Sequence, residues 1–114
     1  MKNAKKLYLW LTKQANKKVV LTTNGLLIND EWAEHLIQGS KHIDISVNAS
    51  TKKIHELVNK NSNYEKVIAN IKKLIYLKHQ YGLDVEIIYH FTIVPQNIRE
   101  IVDAIQLADN LGCD

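Results

Sequence analysis

Polar side chains occupy nearly every second position in three short apolar segments, and their types suit hydrogen bonding to a small ligand or a partner. The set comprises Thr22, Asn24, Asp44, Ser46, Asn48, Glu86, His90 and Thr92. Residues two apart share one face of an extended strand, so each segment would turn its polar members to one side. A buried polar group without a partner costs about 1–3 kcal/mol. We therefore expect this polar face to line a cavity or meet solvent, rather than to lie under helices.

Patterns that would signal catalysis or metal binding are absent from the sequence. No two histidines stand three or four residues apart on one predicted helix, the spacing that binds metal ions. Glu86 and His90 share a face but lie about 13 Å apart at roughly 3.3 Å per residue, too far for a direct acid–base pair. There is no Gly-x-Ser-x-Gly turn and no glycine-rich phosphate loop. We expect no catalytic and no metal-binding residue in this chain.

The elements that position the polar face alternate between two periodicities. Short apolar runs predict strands at Val19–Thr23, Ile43–Asn48 and Val85–Val94. Apolar residues at helical spacing predict a helix from Ala4 to about Asn16 and a second that follows Asn29-Asp30 and ends at Gly39. They predict three more helices, which contain Ile54–Val58 after a cap at Ser50 or Thr51, Val67–Ile75 before Gly82, and Ile98–Ala108 before Gly112. Strands separated by helices imply right-handed crossovers and a parallel sheet, so the predicted class is α/β.

Local signals predict where several helices begin and end. Ser62 with Glu65, and Asn97 with Glu100, have capping-box spacing. Gly39 is expected to end its helix in a left-handed conformation. Asn24, Asn48 and Thr92 stand at the carboxyl ends of the predicted strands, where ligands bind in parallel α/β folds. The alternative for Asn24-Gly25 and Asn48 is that they only form turns.

Composition indicates one ordinary globular domain over residues 1–114. The chain is 46% hydrophobic and 24% charged, carries a net charge of +3, and has one cysteine. One cysteine excludes an internal disulfide and fits a reducing compartment, so we expect a cytoplasmic protein. No apolar run approaches the roughly 20 residues of a membrane span. The paired lysines are interpreted as solvated helix surfaces rather than a nucleic-acid site.

The order of the strand ends resembles a known family. Val19-Val20-Leu21 leads into Thr23-Asn24-Gly25, Ile45-Ser46-Val47-Asn48-Ala49 ends the next strand, and Phe91-Thr92-Ile93-Val94 with Asn97 ends the third. This series resembles the middle of a radical S-adenosylmethionine (SAM) domain, in particular the branch of peptide-modifying and sulfatase-maturing enzymes. The resemblance implies part of a (β/α)6 barrel, with these strands as its third, fourth and fifth.

The resemblance also implies roles for the polar residues. Ser46 and Asn48 would lie near the ribose of bound SAM, and Asn24 would lie on the cofactor side. Glu86, His90 and Thr92 would line the barrel lumen. Relatives commonly carry an acidic residue where this chain has Asn48.

Two features of the family are missing. Its [4Fe–4S] cluster is held by three cysteines after the first strand, and a glycine-rich stretch follows the second. This chain has only Cys113, near its other end, where a sixth strand would begin. Cys113 is interpreted as a half-buried apolar residue. Because a cluster needs thiolate ligands, we expect a fragment that is inactive alone.

The expected partners follow from the predicted sheet and its missing neighbours. SAM is the expected small-molecule cofactor, while nucleic acid and membrane partners are not expected. A three-stranded sheet cut from a barrel has two bare edges, which invite pairing with another chain. We expect a homodimer, a swapped assembly or poor solubility. The alternative function is a non-catalytic α/β binding or assembly module, and a basic nucleic-acid-associated protein ranks last.

Overall fold

The computed structural model describes residues 2–14 and 19–114. Within these ranges, no helix combines the length and the apolar character needed to cross a membrane. In chain order the elements are α1 (Lys2–Gln14), β1 (Val19–Thr23), α2 (Asp30–Gly39), β2 (Ser40–Ser46), α3 (Lys52–Val58), α4 (Tyr64–Gln80), β3 (Glu86–His90), a 3-10 turn (Ile98–Glu100) and α5 (Ile101–Leu111). The first helix was predicted to reach Asn16, but Ala15 and Asn16 lie outside the described residues.

The three strands form one sheet in the order β1-β2-β3, and both neighbouring pairs are parallel. Helices α2 and α4 pack on one face of the sheet and contact each other. Their buried residues share a core with the sheet: Ala33, Leu36, Ile37, Val67, Ile71, Leu74 and Ile75 from the helices, and Ile43, Ile45, Val47, Val85 and Ile87 from or beside the strands. The predicted α/β class and parallel sheet are confirmed.

The two faces of the sheet differ as the alternation predicts. Ile43, Ile45 and Ile87 are fully buried against the helices. On the opposite face, side chains pair across the strands in rows: His42 with Glu86, Thr22 with Asp44 and Ile88, and Ser46 with His90. Thr22, Glu86 and His90 are exposed, whereas Asp44 and Ser46 are half-buried. The polar face is therefore open in the described part of the chain.

The third strand is shorter than predicted. It ends at His90, and residues 91–94 leave the sheet although their alternation continues. Side chains replace the strand partners there: the Thr92 N–H donates to Asn48 Oδ1 and the Val94 N–H donates to Asn97 Oδ1, both at 2.8 Å. The second strand, by contrast, begins at Ser40, three residues before its predicted start.

Both predicted capping boxes are wrong. Asn63, not Ser62, caps α4 by accepting the Lys66 N–H at 3.1 Å. Asn97 and Glu100 form no side-chain cap on the 3-10 turn or α5. In both cases the predicted capping residue has a tertiary partner instead, which sequence spacing does not reveal.

The predicted left-handed conformation of Gly39 is also wrong, because Gly39 is the last residue of α2 and has no positive φ. Its missing side chain serves close packing of α1. A Cβ at this position would lie 2.6 Å from Thr12 Cγ2 and 2.7 Å from the Tyr8 hydroxyl oxygen. Tyr8 there bonds the Ser40 hydroxyl at 2.8 Å, and burial raises the pKa of Tyr8 more than this bond lowers it.

Candidate functional site: the carboxyl edge of the sheet

The second strand ends in a sharp bend at Asn48. The N–H groups of Val47 and Asn48 both donate to the His90 carbonyl, at 3.1 and 3.2 Å. Asn48 has a φ of +61°, in the left-handed region that asparagine tolerates better than most residues. The chain therefore turns away from β3 directly after its last backbone bond to that strand.

The Asn48 side chain connects this bend to two other segments. Its Oδ1 accepts the Thr92 N–H at 2.8 Å, and its Nδ2 donates to Asn59 Oδ1 at 3.1 Å. A carboxamide has two N–H donors and two acceptor lone pairs, so Asn48 keeps one of each for another partner.

The side chain of Asn97 also connects Asn48 to the loop after β3. It is fully buried, and its Nδ2 donates to the carbonyls of Asn48 at 2.9 Å and Thr92 at 2.8 Å. Its Oδ1 accepts the Val94 N–H. We call Asn48, Asn59 and Asn97 the asparagine network, because their side chains join the end of β2 to α3 and to the loop after β3.

A buried histidine supports the same bend. His55 is fully buried on α3, and its Nδ1 lies 2.6 Å from the Val47 carbonyl, to which it donates. Its Nε2 lies 2.8 Å from the Ser62 hydroxyl. Asn59 Nδ2 also donates to the Val47 carbonyl at 2.8 Å. Both ring nitrogens thus have partners, and the end of β2 is fixed from α3.

Residues 49–51 are held by side chains from three other elements. The hydroxyl of Tyr89 donates to the Ala49 carbonyl, and the hydroxyl of Tyr64 donates to the Ser50 carbonyl. Glu100 accepts the Ser50 N–H and the Thr51 hydroxyl, each at 2.8 Å. Burial raises the pKa of Tyr89 well above its usual value, with smaller contributions from Tyr64, Cys113 and Glu100.

Four of the predicted site residues lie together at this edge. Ser46 is the last residue of β2 and pairs with His90 on β3. His90 Nε2 lies 3.1 Å from Thr92 Oγ1, and Thr92 bonds Asn48 through its backbone. The Ser46 hydroxyl has no hydrogen-bond partner among the described residues. The edge thus presents a free hydroxyl beside groups whose positions are fixed.

Asn24 lies at the carboxyl end of β1 and uses its side chain locally. Its Oδ1 accepts the Leu26 N–H at 3.0 Å, as in an Asx turn. The next residue, Gly25, has a φ of +75° and its carbonyl accepts Asn70 Nδ2 at 2.7 Å. Asn24 is exposed and borders a cavity of about 450 Å³ with Lys5, Thr22, Leu27 and Trp32 among its lining residues.

Glu86 is on the polar face but not at the carboxyl edge. It begins β3, beside His42, whose Nδ1 lies 4.0 Å from a Glu86 carboxylate oxygen. It stands four residues before His90 on the strand, which corresponds to about 13 Å. The structure therefore does not bring Glu86 together with Ser46, Asn48 and Thr92.

Cys113 does not fit an iron–sulfur site. It is half-buried on the apolar side, where it lines a cavity of about 350 Å³ with Tyr89, Phe91 and Ala104 among its neighbours. Burial, and to a smaller extent the charge of Asp114, raises the pKa of its thiol to about 11, and Lys78 opposes this shift. Clusters need thiolates. In residues 2–14 and 19–114, no three His, Cys, Asp or Glu side chains form a metal-binding group.

Sequence reasoning missed the residues that fix the edge. His55, Asn59 and Asn97 were not predicted as part of the site, and Asn97 was interpreted as a helix cap. One signal was available in the sequence: Asn97 follows the predicted end of the third strand, at Val94, by a few residues. Asn24 and Asn48 stand in a similar place, at the predicted ends of the first and second strands. For His55, the sequence carries no signal that separates it from an ordinary helix residue.

The parallel strands, the helices on their apolar side and the polar carboxyl edge define a class of protein, the α/β domains whose ligands bind beyond the strand ends. The profile of the Radical SAM superfamily matches residues 1–108. The chain therefore belongs to the radical SAM superfamily, as its strand ends predict. Membership implies SAM and a [4Fe–4S] cluster as the family's cofactors.

A similar protein is the cysteine-type anaerobic sulfatase-maturating enzyme of Clostridium novyi (strain NT), with 30% identity over 98 residues. The match covers 82% of this chain and 24% of that enzyme, so the chain spans about a quarter of the relative's length. The chain is thus similar to one part of a radical SAM enzyme, and its open parallel sheet agrees with a part of the family's (β/α) fold.

Proposed function

We propose that this chain is the SAM-contacting middle of a radical SAM enzyme of the peptide-modifying, oxidoreductase type. Ser46 and Asn48 would contact the cofactor at the ends of β2 and β3, and Asn24 would approach it from β1. The observation that carries the proposal is the free Ser46 hydroxyl next to the fixed bend at Asn48. A preorganised edge loses little freedom when it binds a ligand, which favours affinity.

The residues at the edge fit a ligand with hydroxyl and amine groups. The Ser46 hydroxyl can both donate and accept, and the Asn48 carboxamide has one N–H and one lone pair to spare. When bound, SAM supplies the sulfonium group that the family cleaves to begin its radical chemistry. The chain's own contribution would be to bind and orient that molecule.

The cluster does not fit, so the chain alone is proposed to be inactive in sulfonium cleavage. Its one thiol lies on the apolar side of the sheet, with its pKa raised to about 11. Thiolates would have to come from elsewhere in a whole enzyme. The single cysteine also supports a cytoplasmic location.

We propose that the polar face lines the lumen of the complete barrel, with His90 and Thr92 near the cofactor and Glu86 near the opposite end. The exposure of these three side chains in the described chain supports this arrangement. Their different distances from Ser46 suggest different uses, since Glu86 is four residues from the row that contains Ser46 and His90.

A SAM titration tests the proposal. Isothermal calorimetry on the purified chain should detect binding of SAM, and Ser46→Ala should weaken it about fivefold through the loss of one hydrogen bond. Ser50→Ala is the matched control, because the Ser50 hydroxyl is buried and has no partner within the described chain. Absence of SAM binding by the unaltered chain, or equal losses in both variants, would contradict the proposal.

The second candidate is a binding or assembly module that associates with another chain through exposed apolar side chains. An apolar stripe supports it: Ile98, Val102 and Ile105 on and before α5 are 54%, 76% and 66% exposed. Exposed apolar patches of this kind favour association. Light scattering over a concentration series should then show a dimer or larger species, and Val102→Lys should reduce it. A monomer at high concentration would contradict this candidate.

A further inference from the structure

We infer that Asn97 is a positioning residue for the proposed SAM site, because it sets the distance between the bend at Asn48 and the loop after β3. This inference rests on the proposed function. Asn97 would not touch the ligand, since it is fully buried. It would act through the two backbone segments that it holds.

The hydrogen bonds of Asn97 reach two segments that are far apart in the chain. One N–H goes to the Asn48 carbonyl, 49 residues away, and the other goes to the Thr92 carbonyl, five residues away. The carboxamide oxygen accepts the Val94 N–H at 2.8 Å. One side chain therefore uses both of its donors and its acceptor on backbone groups.

These bonds matter because the loop after β3 has no strand partner. Beyond His90 the chain leaves the sheet, and the backbone groups of Thr92 and Val94 bond the side chains of Asn48 and Asn97. Asn48 in turn is fixed by Asn97 through its carbonyl and by Asn59 through its side chain. Without the Asn97 donors, the bond from the Thr92 N–H to the Asn48 side chain would be the one direct hydrogen bond left between these two residues in the described chain.

Only an amide fits this place without change in charge or shape. Two carbonyl oxygens and one N–H face the side chain, so it must donate twice and accept once. A carboxylate of the same shape keeps the Val94 bond but turns an acceptor toward the two carbonyls. A carboxylic acid, in contrast, can donate to one of them again.

The test compares Asn97→Asp with Asn110→Asp. Asn110 is exposed on α5 and accepts a bond from Gln106, which an aspartate oxygen can also accept. At pH 7.5, Asn97→Asp should bind SAM about tenfold more weakly than the unaltered chain, and Asn110→Asp should bind equally. Thermal melts identify a temperature at which every variant is folded, and affinities are measured there.

A pH series separates positioning from a general loss of structure. A buried carboxylate facing carbonyls has a raised pKa, so the carboxylate introduced by Asn97→Asp should take up a proton as the pH is lowered from about 7.5 to about 5.5. The affinity of Asn97→Asp relative to the unaltered chain should then recover in part. No recovery, or an affinity equal to that of the unaltered chain at every pH, would overturn the inference.

A titration of the unaltered chain keeps the inference testable where Asn97→Asp fails to fold. Followed by NMR, SAM should shift the backbone amides of Asn48 and Thr92 and slow the exchange of the Asn97 side-chain amide protons. Shifts elsewhere with none at these groups would overturn the positioning role. No binding by the unaltered chain would instead overturn the proposed function, so the two failures are distinguishable.

Discussion

The ends of β1 and β2 each carry an asparagine, but one forms a local hydrogen bond and the other forms long-range hydrogen bonds. Asn24 bonds only its own turn, through the N–H of Leu26. Asn48 bonds residues 11 and 44 positions away, and its carbonyl accepts from Asn97. At the end of β1 the long-range contact is made by the backbone of Gly25, whose carbonyl accepts from Asn70.

The difference shows two ways to fix a strand end. The end of β1 depends on a residue without a side chain that lets the backbone approach the core, whereas the end of β2 depends on side-chain amides that replace missing backbone partners. In the first case the side chain of Asn24 is exposed, and its substitution removes no tertiary hydrogen bond. The second commits Asn48 to structure and leaves it one donor and one acceptor for a ligand.

The largest expected effect comes from Gly25→Ala. A Cβ at Gly25 would lie 2.9 Å from Ile45 Cγ2 and 3.3 Å from Val67 Cγ1, and the φ is +75°. We expect the free energy of unfolding to fall by about 3–4 kcal/mol in urea titrations, from backbone strain plus overpacking. Gly82→Ala is the control, since its φ is +61° with nothing within 4 Å, and should cost about 1 kcal/mol. Equal losses would contradict the close approach of Gly25 to the core.

Asn48→Ala is expected to destabilise the chain by about 2–3 kcal/mol, because it removes two side-chain bonds and places alanine at positive φ. Asn24→Ala should cost less than about 1 kcal/mol, because only one exposed turn bond is lost. Asn48→Gly separates the two causes, since glycine accepts the φ of +61° but cannot form the bonds. If Asn24→Ala cost as much as Asn48→Ala, the comparison of the two ends would fail.

Glu100→Gln tests the charged support of residues 50 and 51. One carboxylate oxygen accepts the N–H of Ser50 and the other accepts the hydroxyl of Thr51, whereas an amide has a single oxygen and keeps only one of these bonds, without the charge. We expect a loss of about 1 kcal/mol, with Asp103→Asn on α5 as an exposed control. Burial and then the Glu100 charge raise the pKa of Tyr64, so this pKa should fall in the variant. If NMR showed the same pKa for Tyr64 in Glu100→Gln and in the unaltered chain, the proximity of the Glu100 carboxylate to Tyr64 would be contradicted.

The smallest expected effect concerns Asp114, whose carboxylate accepts the Ile87 N–H at the outer edge of β3. Burial tends to raise the pKa of Asp114, but the Ile87 N–H and the Lys78 ammonium lower it below its usual value. A lowered folded-state pKa gives stability that is present above the unfolded pKa of about 3.9 and is lost as the pH falls through the folded value.

Asp114→Asn should therefore destabilise the chain at neutral pH by less than about 1 kcal/mol, a value reduced by solvent screening of a partly exposed pair. The difference from the unaltered chain should shrink as the pH falls from about 5 to about 2. Asp109→Asn, on the preceding helix α5, is the exposed control. If the difference in the free energy of unfolding between Asp114→Asn and the unaltered chain grew toward acid pH, the stabilising role of the ionised Asp114 carboxylate would be contradicted.

Much of the fold follows from local periodicity. The first strand was predicted with its observed bounds, Val19–Thr23, and the buried set Ile43, Ile45 and Val47 was predicted from alternation alone. The errors share one cause. Ser62, Asn97 and Gly39 were assigned local roles, but each serves a contact with a residue outside its own helix: His55, Asn48 and Tyr8.

The α/β class, the polar and apolar faces and the family could all be predicted from the amino-acid order, because these depend on spacing along the chain. The packing of the chain was needed to show that Asn24 is exposed whereas Asn97 is buried, where β3 stops, and that Glu86 lies apart from Ser46. The physical reason is that a side-chain amide bonds whatever backbone group the fold brings to it. That partner is set by packing rather than by neighbours in sequence.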